Sequence, residues 1–182
     1  AEKRLNYENA NISFELSSEG MGLKNFYLKN HKDREFKPIV LGVVEGQSLF
    51  AMSLVGESQP LQFNLNQKSE NVFEGISQVS GMTITRTIEI DPYLNSFKTT
   101  VFIQKPTGDF KGVTVGIPEK MYEGGSGSFL MPSFEHQEFV VKHDGKMERV
   151  NITSEGENHD SVLTTVGLVA VGSQYFYNGD LG

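Results

Sequence analysis

The chain has 182 residues, enough for one domain or two small ones with a sizeable core, and although its hydrophobic fraction of 37% is modest it is too rich in Phe, Ile and Val for a disordered chain. Its net charge of −7, with 16 basic residues dispersed along the chain, argues against a nucleic-acid partner, because phosphate binding needs clustered Lys and Arg. Cysteine is absent, which excludes disulfides, thiolate metal sites and a thiol nucleophile, and no apolar run approaches the roughly 20 residues that span a bilayer.

Period-two patterns run through the sequence and predict half-buried antiparallel strands. The opening "AEKRLNYENA" has no signal-peptide apolar region. In "NISFEL", Ile12, Phe14 and Leu16 alternate with Ser13 and Glu15. "GLKNFYLKN" (22–30) fits either a strand or one short amphipathic helical turn through Leu23, Phe26 and Leu28. "KNHKDREFK" (29–37) is the densest basic group, diluted by Asp33 and Glu35, and predicts a solvated turn. "PLQFNLN" repeats the alternation with Leu61, Phe63 and Leu65.

The central stretch is the most regular. "GMTITRTIEI" puts Met82, Ile84, Ile88 and Ile90 on one face together with Arg86, and Thr83, Thr85, Thr87 and Glu89 on the other. "DPYL" predicts a turn, with Asp91 as an Asx-type acceptor and the φ of Pro92 fixed. "NSFKTTVFI" then groups Phe97, Thr99, Val101 and Ile103. "YEGGSGSF" (122–129) predicts a loop within one domain. Further on, Asp144-Gly145 in "VVKHDGKMERV" predicts a type I′ hairpin turn, whose two central residues need positive φ. These patterns predict an all-β domain of about a dozen short strands with little helix.

Chemical motifs are sparse. The Gly-rich loop lacks the Lys-Ser/Thr ending of a phosphate-binding loop and no helix follows it. His31, His136, His143 and His159 stand in no zinc-ligand spacing. His136 has Glu135 and Glu138 nearby, but neighbours on a strand alternate faces, so an exposed polar edge is the expectation rather than an acid–base pair. "EGENHD" (155–160) does not match the spaced calcium-loop pattern and predicts a polar turn. "NIS" at Asn11 and "NIT" at Asn151 read as strand residues. The sequence thus assigns no catalytic residue, cofactor or metal ligand. Tyr175, Phe176 and Tyr177 are the one candidate interaction surface, with Tyr175 and Tyr177 on one strand face and Phe176 on the other, although the favoured expectation is that one face packs on the core and the other meets the next strand.

Several stretches, in order, resemble one family. "NANISFELSSEGMGLKNFYLKNHKD" resembles the opening of the large periplasmic domain of the YidC family of bacterial membrane protein insertases. "GMTITRTIEIDPYLNSFKTTVFIQKP" resembles that domain's central hairpin, and "EGGSGSFLMPSFEHQEFVV" the Gly/Ser loop before its later strands. "GLVAVGSQYF" is similar to the family's strand ending in a Gln-Tyr-Phe triplet, here Gln174, Tyr175 and Phe176. The resemblance runs from about Asn9 to Phe176. It implies a single domain over 1–182, an antiparallel β-super-sandwich of the galactose mutarotase-like type, on the periplasmic side of the bacterial inner membrane. It implies a non-enzymatic role beside a chaperone-like insertase, with contacts to accessory subunits of the Sec translocon and to emerging membrane proteins. In the family more strands and a short helix follow the triplet, leading to a transmembrane segment, so the resemblance also implies a fragment trimmed on its C-terminal side. The competing reading is a carbohydrate-binding or mutarotase-like sandwich, which the absence of Trp weakens, and a third is a secreted or lipid-binding barrel.

Overall fold

The computed structural model describes residues 1–32, 36–42, 45–93, 96–106, 108–118, 137–152, 166–173 and 177–180. Among them every regular element is a strand, and every strand pairing is antiparallel. The chain separates into two compact units, Ala1–Pro118 and Glu119–Gly182.

The first unit begins with a meander of β1 (Arg4–Glu8), β2 (Ile12–Ser17), β3 (Leu23–Lys32) and β4 (Pro38–Leu41), in that spatial order. Asn9 makes the first turn: its Oδ1 accepts from the amides of Asn11 and Ile12, both at 2.8 Å. The stretch 22–30, open between helix and strand by pattern, lies within β3 from Leu23 onward. Its apolar residues are spaced three and then two apart, which strict alternation does not allow. A β-bulge resolves this. Asn25 takes a left-handed φ of 51°, Glu15 pairs with Lys24 and Ser13 with Tyr27, so one extra residue sits on β3. Leu23 and Phe26 both turn inward as a result. Lys29 to Lys32, expected in a solvated turn, are instead the exposed end of β3.

After β5 (Met52–Leu54) comes a second meander of β6 (Asn64–Ser69), β7 (Val72–Val79), β8 (Met82–Asp91) and β9 (Ser96–Gln104). β10 (Val113–Val115) then pairs back with β5. The predicted inner face of β8 is buried residue by residue, Arg86 included, while Thr83, Thr85 and Thr87 are half-buried and Glu89 is exposed. Asp91 Oδ1 accepts from the Tyr93 amide at 2.8 Å, the expected Asx geometry. Two faces meet over one core, as in a sandwich. Phe14 stacks on Phe26 within the first sheet at 5.7 Å, and Phe97 of β9 tilts against both, at 5.7 and 5.8 Å. Tyr7 meets Phe73 edge-on at 6.0 Å, and its hydroxyl donates to Asn71 Oδ1 at 2.8 Å. Tyr7, Phe14, Phe26 and Phe73 are buried, and each such ring contributes about 2–3 kcal/mol of apolar burial.

The second unit contains β11 (Gln137–His143), β12 (Lys146–Ile152), β13 (Val166–Ser173) and β14 (Tyr177–Asp180), in the order β12-β11-β13-β14. His143 pairs with Lys146, leaving Asp144 and Gly145 as a two-residue turn with φ of 47° and 76°. That is the predicted hairpin.

Candidate functional site

Two features of the first unit depart from an ordinary apolar sandwich: a buried arginine and an open groove. The cross-strand row Leu65, Gly75, Arg86, Val101 runs over the inner face of the second meander. Gly75 leaves a hole in that row, and Met21, fully buried at the tip of the β2–β3 turn, fills it. A Cβ on Gly75 would lie 2.3 Å from Met21 Sδ. Beside this plug Arg86 is 2% exposed. Its Nη1 donates to the carbonyls of Gly20, at 2.9 Å, and Phe50, at 2.7 Å, and its Nε to Thr99 Oγ1, at 3.1 Å. The guanidinium therefore ties the tip of the first meander and the 48–52 segment to the second meander. A rigid fork of donors suits carbonyls that converge from separate segments. The chemistry is that of a structural clamp.

The same turn is gathered from the other side. The Gly20 amide donates to the Leu61 carbonyl at 2.6 Å and the Phe63 amide to the Ser18 carbonyl at 2.8 Å. Gly20 sits at φ 67°, and a Cβ there would lie 2.6 Å from the Met52 amide nitrogen, so only glycine fits. At the N-terminal strand, Glu2 accepts from Arg4 at 2.9 Å and from Lys24 at 2.7 Å, and Ser17 also donates to it. These donors, Arg4 foremost, then Lys24 and Ser17, lower its carboxyl to a pKa of about 2.

The groove, of about 400 Å³, lies between the 54–62 segment and the end of the β7–β8 hairpin. Leu54, Pro60, Leu61 and Val79 supply its apolar wall, and Gln59, Gln62, Ser77 and Glu57 its polar groups. It forms because β6 reaches only to Asn64, opposite Ile76, while β7 continues to Val79. A second depression, of about 540 Å³, lies on Tyr27 and 37–40 at the β4 edge.

Of the sequence-predicted interaction residues, Tyr175 and Phe176 lie outside the described residues, as does Gln174. Tyr177 opens β14, paired with Gly172, and its side chain is not among those described. His136, His159, the Gly/Ser loop and the 155–160 turn also lie outside them. His31 is exposed on β3, and His143 closes the β11–β12 hairpin. Among the described residues no group of three His, Asp or Glu is placed to hold a metal ion, and no helix is long and apolar enough to cross a membrane. Pattern reading places Arg86 on the inner face but has no signal for its clamp, because the two carbonyls come from 66 and 36 residues away. The groove has no local signal either, since it depends on where β6 stops. Comparison with protein-family models, with curated proteins and with solved structures gives no match.

Proposed function

We propose that this chain is the periplasmic domain, or part of it, of a YidC-type membrane protein insertase, and that it serves as a non-catalytic interaction module at the bacterial inner membrane. In this reading its fold is a β-super-sandwich of the galactose mutarotase-like type, with both units belonging to one domain over 1–182. Its partners are accessory subunits of the Sec translocon and emerging membrane proteins, and Tyr175, Phe176 and Tyr177 are the surface offered to them. The observation that carries the proposal is the ordered series of resembling segments from Asn9 to Phe176. The all-β antiparallel architecture agrees with it, although fold alone does not imply function.

The coding sequence beyond Gly182 is the direct test. Further strands followed by several apolar segments of about 20 residues each are expected. A stop codon there overturns the reading. Polarimetry with glucose and galactose separates it from the sugar-active alternative: anomer interconversion above buffer, lost in His136→Ala, would establish the enzyme instead. In the parent protein, a photoreactive residue at position 176 is expected to crosslink to a translocon subunit.

A further inference from the structure

We propose that the groove beside β7 binds a short peptide in extended conformation, with Glu57 receiving a basic side chain of that peptide. The proposal stands on the groove alone and holds whether or not the insertase reading does.

The first support is an open strand edge. Ser80 and Gly81 form a two-residue turn with positive φ at both positions, so the closing pair Val79–Met82 exchanges hydrogen bonds across β7 and β8. Alternation then directs the Gln78 amide and carbonyl away from β8. β6 begins only at Asn64, opposite Ile76, and no backbone partner for Gln78 occurs on that side among the described residues. An extended peptide laid in the groove supplies one, by strand addition.

Ser77 is a second, independent observation. It is 2% exposed and part of the groove wall, and its hydroxyl has no hydrogen-bond partner among the described residues. A buried hydroxyl left without a partner is destabilising, and a peptide group reaching it removes that cost.

The lining selects the ligand class. Glu57 is its one charged residue, exposed, and forms no ion pair among the described residues, so anions are disfavoured and Lys or Arg is favoured. Gln59 and Gln62 each present a donor and an acceptor, the same pair a peptide group carries. No aromatic ring lines the groove, which leaves a sugar without a stacking platform. The volume of about 400 Å³ lies in the range of ligand clefts.

The test is a nuclear magnetic resonance titration of the whole isotope-labelled chain with a capped Thr-Lys-Thr-Val peptide. Saturable shifts are expected at the amides of Gln62, Ser77, Gln78 and Val79. Replacing the probe's Lys by Glu, or Glu57→Lys in the protein, should weaken binding roughly three- to tenfold, the scale of an exposed ion pair reversed. Gln78→Pro removes the free donor without removing a bond to β8, and should abolish binding while the spectrum stays folded. No saturable shift at millimolar peptide, shifts centred elsewhere, or unchanged affinity in either variant overturns the proposal. So does maltotriose shifting these amides when the peptide does not, which makes the groove a sugar site.

Discussion

A charged side chain buried in an apolar sheet face is costly unless its donors find partners, and those of Arg86 find the Gly20 and Phe50 carbonyls and the Thr99 hydroxyl. Arg86→Met keeps the volume but leaves the Gly20 and Phe50 carbonyls without their charged donor. Hydrogen bonds to charged groups contribute about 1.5–3 kcal/mol each, and Gly20 keeps its bond from the Met52 amide, so a loss of about 2–4 kcal/mol is expected. Urea denaturation measures it, and a loss under about 1 kcal/mol would show that the clamp is not holding the meanders together. Glu2 gives a pH signature. Its folded-state pKa, about 2, is below the ordinary 4.5, so its contribution is fully present above pH 4.5 and is lost as pH falls from 4.5 towards 2. With the carboxylate 20% exposed and screened by solvent, that contribution is on the order of 1 kcal/mol. The stability gap between the native chain and Glu2→Gln should therefore be constant at neutral pH and close at acid pH; a gap that widens on acidification contradicts the assignment.

At the scale of elements, turn chemistry sets the pairing. Asp144-Gly145 and Ser80-Gly81 are the same kind of turn, yet only the first carries the Asp-Gly signature. In Gly145→Val a β-branched residue must adopt φ near 76°, and a cost of about 1–3 kcal/mol is expected. A melting temperature unchanged by this substitution would mean that the hairpin tolerates another turn. The β3 bulge makes a different point. Residues 22–30 could not be assigned by periodicity because Leu23 and Phe26 are three apart, as on a helix, and only pairing with β2 and β4 decides for a strand. The groove belongs to this scale too, as a consequence of unequal strand lengths in one hairpin pair.

For the whole molecule, the buried core cluster among the described residues, 16 side chains, lies within Ala1–Pro118. A fragment of residues 1–118 is therefore expected to fold alone, with a strand-dominated circular dichroism spectrum and a cooperative urea transition. Helix content above about a third would contradict the all-β architecture. A fragment that stays molten would make 1–182 the folding unit, as the resemblance implies. What the amino-acid sequence determined by itself is the strand class, the inner and outer faces of β2, β8 and β9, and the Asp91 and Asp144-Gly145 turns. All of these follow from local alternation and from the φ preferences of two or three residues. The tertiary structure alone decided that Met21 plugs the gap at Gly75, that Arg86 clamps carbonyls from two distant segments, and that β7 outruns β6 to leave a groove. Each of these depends on which distant backbone arrives at a given face, and such long-range approach leaves no periodic trace in the residues that receive it.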